Sequence, residues 1–284
     1  MLVIIGILFS ILGIIMVFFN ISYSKTRTEF NAITGTLLNK IANESDVFTE
    51  EDIANLPIPV QKYFRYCGYI GKPKMSYMKA TYEDVDFSFG RDKANVVMDY
   101  TQYNFVKEPI RIAYIDSSMY GIPFEGLDSY IGGKGSMKGV VAKCFNLFEQ
   151  EEEALNKASL VTYLAECLMI PNAALQDYIV WEEINDLHAR ARIAYYGITA
   201  SGAFTFKENG EMLSFTTEDR EATATDGRSE KVRWSTVCSN YIEINTIKKP
   251  TKFQAIWHYD DGDLVYFDGK NAIIEYDTTE MRGS

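Results

Sequence analysis

Residues 1–19, MLVIIGILFSILGIIMVFF, hold no charged side chain, and only Gly6, Ser10 and Gly13 interrupt the apolar run. Coiled as a helix at about 1.5 Å per residue, such a run matches a hydrocarbon layer about 30 Å thick. A segment of this kind either stays in a bilayer or is removed as a signal peptide. Ser22 and Ser24 supply a small-x-small cleavage pattern before Lys25. A signal peptide, however, has a basic n-region and an apolar core of roughly 7 to 15 residues. No Lys or Arg precedes this longer run, so the expectation is a retained single-pass anchor over residues 1–24. Lys25 and Arg27 are the nearest basic residues and both follow the anchor, which places the rest of the chain on the cytoplasmic face by the positive-inside rule.

The charge lies beyond the anchor. Lys and Arg number 28 against 39 Asp and Glu, a formal net charge of -11. An acidic body repels phosphate backbones, and Lys248 and Lys249 form only a pair, so nucleic acid is not an expected partner. Cys67, Cys144, Cys167 and Cys238 are scattered without a CxxC, and His188 and His258 stand in no metal-ligand spacing. Neither a metal, a cofactor nor a disulfide scaffold is expected.

Residues 25–55 read as a juxtamembrane helical segment, ending in a short helix that Thr49 and Asp52 cap. Pro57 and Pro59 break it; VQKYFRYCG restarts a helix that Gly68 terminates. From Met75 to Tyr120 the polarity alternates as in strands, with Val85, Phe87 and Phe89 opposite Asp84, Asp86 and Ser88. The glycine-rich stretch 121–139 suggests tight turns around a strand, and its GGKGS lacks the spacing of a phosphate loop. From Gln150 to Met169, Ala154, Ala158, Val161, Ala165 and Leu168 recur at three and four, widened by Leu160 and Leu164, which marks a long core helix. Ser159, Thr162, Tyr163 and Glu166 fall on its flank.

The last third reads as antiparallel strands. Asn209-Gly210 predicts a hairpin pairing Phe206 with Leu213 and Phe204 with Phe215; Asp261-Gly262 predicts one pairing Tyr259 with Leu264 and Trp257 with Tyr266. Asp268-Gly269 predicts a further turn. No repeat or flexible linker divides residues 56–284, so one soluble domain is expected. Its class is α+β: a curved antiparallel β-sheet wrapped around the long apolar helix, preceded by an N-terminal transmembrane helix.

LPIPVQKYFRYCG at 56–68, GLDSYIGGKGSMKG at 126–139, LVTYLAE at 160–166, WEEINDLHARA at 181–191 and FTFKENGEMLSFTTEDR at 204–220 together resemble a bacterial family of uncharacterised membrane-anchored proteins, known only as a domain of unknown function. The resemblance spans roughly Leu56 to Tyr276. It implies fold and boundaries and brings no activity or ligand. Members carry Arg immediately before the residue here numbered Asp128, where this chain has Leu127, so no role is carried over to that pair.

Glu166 is the first candidate for a functional carboxylate, weighed against a plain structural glutamate on the helix surface. Asp128 and Tyr130, with Asp186 and Arg220, are candidates for a polar cluster, Arg220 suiting a carboxylate bidentately. Tyr63, Tyr130, Trp181, Trp234 and Trp257 are candidates to line a cavity, weighed against core packing. Three functions follow in order of expectation. The first is a membrane-anchored, non-enzymatic module binding an apolar or amphipathic small molecule such as a lipid. The second is an interaction scaffold for another membrane protein. The third is a hydrolase or isomerase using Glu166 with Asp128 or Asp186. The sequence assigns no oligomeric state.

Overall fold

A computed structural model describes residues 2–41, 46–91, 93–223 and 229–277. Its helices are α1 (Leu2–Asn20), α2 (Lys25–Leu38), α3 (Glu50–Ile53), α4 (Ile58–Cys67) and α5 (Glu153–Glu166). The strands before α5 are β1 (Tyr77–Ser88), β2 (Asn95–Phe105), β3 (Ile110–Met119), β4 (Ile122–Ile131), β5 (Lys134–Val141) and β6 (Phe145–Gln150). Those after it are β7 (Ile179–Asn185), β8 (His188–Tyr195), β9 (Ile198–Phe206), β10 (Met212–Thr217), β11 (Glu221–Thr223), β12 (Ser229–Lys231), β13 (Arg233–Ile244), β14 (Ile247–Tyr259) and β15 (Gly262–Tyr276).

Local chemistry sets the helix ends. Thr49 and Asp52 bond each other's backbone N–H in a reciprocal capping box at the start of α3. Gly68 ends α4 in a left-handed conformation at φ 78°, where a Cβ would also stand 2.6 Å from the Thr246 carbonyl oxygen. Ser24 Oγ accepts from the Arg27 N–H at 3.0 Å and starts α2 immediately after the apolar helix. No residue of α1 is buried; by length and composition it can cross a membrane, a test that a signal sequence also passes.

Thirteen strands form one antiparallel sheet in the order β6-β5-β4-β3-β2-β1-β15-β14-β13-β10-β9-β8-β7, with β11 and β12 paired separately. The chain lays β1 to β6 outward in succession, crosses along α5 to the far edge, and works back until β15 pairs with β1. That crossover curls the sheet. α5 packs on β3, β4 and β5 from one end of the strand order and on β8 and β9 from the other. The β4–β5 and β8–β9 turns meet, so that a Cβ on Gly133 would lie 2.5 Å from Cβ of Tyr196. Mostly strand, the architecture is only loosely α+β: a large antiparallel sheet with α5 packed on strands from both ends of its order.

Both faces of the sheet are covered near β3. Inside, Val60, Tyr63 and Phe64 of α4 and Leu160, Val161, Tyr163 and Leu164 of α5 pack into the principal core. Outside, Phe30 of α2 packs on Ile110, Ile112, Tyr114 and Leu127. Arg27 joins Asp116 at 2.5 Å and Lys138 joins Glu29 at 2.9 Å, clamping α2 to the outer face.

Several expected details differ. Asp268-Gly269 is no turn: β15 runs straight through it, with Gln254 opposite Asp268 and Phe253 opposite Gly269. Glycine is needed there for close approach, since a Cβ would meet the Tyr82 ring at 2.9 Å. Phe204 does pair with Phe215, but Phe206 pairs with Met212 ahead of a bulge, because the loop has three residues, 208–210, closed by Lys207 and Glu211 with Gly210 at φ 92°, instead of the two of a type I′ turn. At the β14–β15 turn Tyr259 pairs with Gly262 and Trp257 with Leu264. That slip of two residues keeps Tyr259, Trp257 and Leu264 on their expected face up to the bulge between Ala255 and Ile256, and Tyr266 stacks diagonally on Trp257 at 6.0 Å. Tyr163 is no flank residue: it is fully buried and donates to the Phe105 carbonyl at 2.6 Å.

Candidate functional site

On β2, Tyr100, Gln102 and Asn104 are two apart and face the concavity; opposite them β3 presents Arg111, paired with Asn104 in register. All four are buried among apolar side chains, which demands partners for each polar group. Those partners come from β4 and from the last turn of α5. Glu166 Oε2 accepts from Gln102 Nε2 at 2.7 Å, Asn104 Nδ2 at 2.8 Å and Arg111 Nε at 3.2 Å. Arg111 also donates Nη1 to Asp128 Oδ2 at 2.5 Å, Nη2 to Gln102 Oε1 at 3.3 Å, and Nη2 to the Tyr100 hydroxyl.

Burial pulls the Arg111 guanidinium toward losing its proton, but the Tyr100 oxygen, Glu166 and Asp128 outweigh it and hold Arg111 well above its ordinary value. The cluster is therefore one fixed cation between two carboxylates, with the Tyr100 phenol driven up by burial and kept neutral. Side-chain exposure of 22% at Asp128 and 14% at Glu166 leaves both carboxylates within reach of a small polar group, whereas Arg111 retains 6%.

Beside this cluster the concave face is aromatic. Tyr100 meets Phe267 at 5.8 Å, and Tyr82 meets Phe267 and Phe253, both at 5.6 Å. Nearer the β1–β2 and β14–β15 turns, Phe89, Phe87, Tyr266, Trp257 and Trp234 follow one another with centroids 5.1, 5.8, 6.0 and 6.5 Å apart. Phe87, Phe89, Tyr259, Leu264, Tyr266 and Phe267 are only half-buried, in contrast to the fully buried Leu160 and Leu164 under the helices. Arg220 lies over Trp234 at 4.4 Å and Trp257 at 5.5 Å and donates to Thr162 Oγ1 at 3.1 Å. Its Nε is buried with no acceptor among the described residues.

The structure thus brings Glu166 and Asp128 together through Arg111, and Arg220 together with Trp234 and Trp257. It does not bring Asp186 to either group; that residue is exposed in the β7–β8 turn. Tyr63 is core, donating to the Leu168 carbonyl at 2.9 Å. Tyr130 pairs with Arg111 in register and is fully buried; its hydroxyl, pushed up to about 12 by burial, has no partner among the described residues. Trp181 donates Nε1 to the Ala174 carbonyl at 2.9 Å and borders an open depression of about 560 Å³ with Arg190, Arg192 and Ser201, outside the concavity. Sequence reasoning missed Arg111, Gln102 and Asn104. Tyr100, Gln102 and Asn104, spaced by two on β2, look like a solvent face unless something covers the other side, and α2 does. His258 bonds Ser235 Oγ and Asp263 Oδ1 on the outer side of β14, as its alternation with Trp257 implies. Among the described residues no cluster of His, Cys, Asp and Glu suits a metal ion.

The chain belongs to a family of unknown function, DUF6544, whose pattern matches residues 46–269. No curated protein matches it in sequence. Among solved structures it is similar to a LolA superfamily protein from Nitrosomonas europaea, at 11% identity and a TM-score of 0.39 over 79% of this chain and 97% of that chain. It is also similar to an outer membrane lipoprotein-sorting protein domain from Vibrio parahaemolyticus, at 12% identity and a TM-score of 0.37 over 72% of this chain and 86% of that chain. At those scores the likeness carries no ligand across.

Proposed function

We propose that this member of the family is a membrane-anchored, non-enzymatic module that binds an amphipathic molecule such as a single-chain lipid. The observation that carries the reading is the one-sided filling of the concave face. Helices α4 and α5 occupy one part of it, while Phe87, Leu264 and Tyr266 stay half-buried at the strand ends from which α1 leads away. Apolar surface left partly wet inside a concavity is the ordinary lining of a ligand site. The apolar part of the ligand lies along the aromatic row. Its polar part meets Asp128 and Glu166, and because Arg111 is already matched by both, the cluster acts as an acceptor and suits a hydroxyl or an amine better than a phosphate.

In this reading residues 1–24 anchor the chain, residues 25–55 join anchor to body through α2, and residues 56–284 form the soluble body on the cytoplasmic face. Cys144 is the exposed cysteine; Cys67, Cys167 and Cys238 are buried. An impermeant maleimide applied to intact cells should leave an Ile242→Cys, Cys144→Ser variant, its thiol on the exposed far end of β13, unlabelled until the membrane is permeabilised, and labelling in intact cells would put the body outside. For the binding itself, a brominated-chain monoacylglycerol is titrated into the full-length Trp181→Phe variant held in unbrominated lipid nanodiscs. Saturable quenching of Trp234 and Trp257 is expected. Unchanged emission, or quenching that rises linearly without saturating, contradicts the reading.

A further inference from the structure

The β3–β4 and β5–β6 turns lie side by side at the strand ends nearest the anchor, joined where the Ala142 N–H donates to the Pro123 carbonyl at 2.7 Å. These turns and the start of β6 expose large apolar side chains that no described residue covers. Tyr120 is fully exposed, Phe145 is 66% and Leu147 63% exposed, and Met119 and Ile122 flank Tyr120 on the first turn. A monomeric protein surface rarely gathers such residues at one tip without a partner.

Two observations say what covers this tip. First, Lys143 on the β5–β6 turn donates Nζ to the carbonyls of Phe18 at 3.3 Å and Ile21 at 2.5 Å, the unpaired carbonyls at the end of α1. A cation there also meets the negative end of the helix dipole. Second, the link between α1 and the clamped α2 is residues 21–24. At no more than about 3.6 Å per residue, the start of α2, which Arg27 ties to Asp116 near the end of β3, stays within roughly 18 Å of the end of α1.

We propose that this apolar tip is a second membrane contact, seated in the headgroup and upper acyl region of the bilayer that α1 spans. The proposal rests on the reading of α1 as a membrane anchor. Tyrosine and phenylalanine at the end of a spanning helix, with lysine stems reaching across, are the side chains that favour a membrane–water boundary. Such seating holds the β1–β2 and β14–β15 turns, which Arg91 and Asp261 tie together, over the lipid surface. The half-buried aromatic row then opens toward the bilayer.

The test uses the full-length chain in vesicles of phosphatidylcholine and phosphatidylglycerol, with an NBD fluorophore on native Cys144. A control carries it on a cysteine at the opposite strand ends, in an Ile242→Cys, Cys144→Ser variant. Alkaline carbonate extraction is run alongside. The expected result is an anchored protein whose Cys144 probe emits to the blue and is quenched by shallow spin-labelled lipid at least about twofold more than the control, with Tyr120→Asp plus Phe145→Asp removing the difference. Equal quenching at both positions in a carbonate-resistant protein overturns the tip contact and leaves the anchor intact. Release by carbonate overturns the anchor and the tip with it. A blue shift seen in native membranes but absent from the pure lipid vesicles assigns the tip to another protein and overturns the lipid contact.

Discussion

Leu160 and Leu164 on α5, and Phe87, Leu264 and Tyr266 near the strand ends, pack against one continuous core on the concave side of the sheet, yet the leucines are sealed and the other three are half in water. The difference comes from connection. The crossover from β6 to β7 must span the curled sheet, so α5 lies where the two ends of the strand order approach and fills that part of the concavity. Among the described residues no helix crosses the strand ends near Phe87, which packs on the rings of Phe89 and Tyr266. Side chains in the filled part are committed to stability. Those in the open part can be exchanged for contacts with a ligand at small cost.

Variants can break that contrast. The largest effect is expected at the polar cluster on the border between the two parts, where Arg111→Met leaves Glu166 and Asp128 facing each other without their cation. A loss of about 3–5 kcal/mol in urea unfolding is expected, and a loss below about 1 kcal/mol would mean that the carboxylates are solvated rather than held. Next comes Leu164→Ala, which opens space beneath α5 and should cost about 2–5 kcal/mol. Phe87→Ala, removing a larger but half-wet ring, should cost only about 1 kcal/mol while abolishing monoacylglycerol quenching of the tryptophans. Equal costs at the two positions would erase the distinction between the parts.

The smallest effect concerns the outer surface. Burial raises the Asp219 carboxyl, but Lys157 at 2.7 Å and the Ser201 N–H and hydroxyl outweigh it, so its folded pKa lies below the ordinary value. The stabilisation is present above the unfolded pKa and is lost as pH falls through the folded one. Asp219→Asn should flatten the acid limb of a Tm–pH profile while leaving the neutral Tm within a few degrees, and an unchanged limb would remove Asp219 from the account.

The elements governed by local chemistry were legible in the sequence: the Thr49 cap, the Gly68 stop, the apolar stripe of α5 and the alternation along β14. Glu166 and Asp128 were legible as candidate carboxylates, Glu166 from the flank of the core helix and Asp128 from the glycine-rich stretch. Their shared cation was not. Ile110, Ile112 and Tyr114 alternate with Arg111 and Ala113 as if the isoleucines faced the core and the arginine faced water. In the fold α2 buries the isoleucines on the outer face, and Arg111 points inward. Periodicity separates the two faces of a strand but cannot say which is inside when both are covered. Gly269 shows the same limit, because a glycine required by the Tyr82 ring across the sheet looks identical in sequence to one required by a turn.

The most direct measurement is native mass spectrometry of the full-length chain, released from detergent micelles after purification from membranes, with solvent extraction of whatever it carries. The account predicts a stoichiometric apolar adduct on the wild-type chain that disappears from a folded Phe87→Ala, Tyr266→Ala double variant. A bare mass for the folded wild-type chain, or an adduct that survives the double variant undiminished, would contradict it.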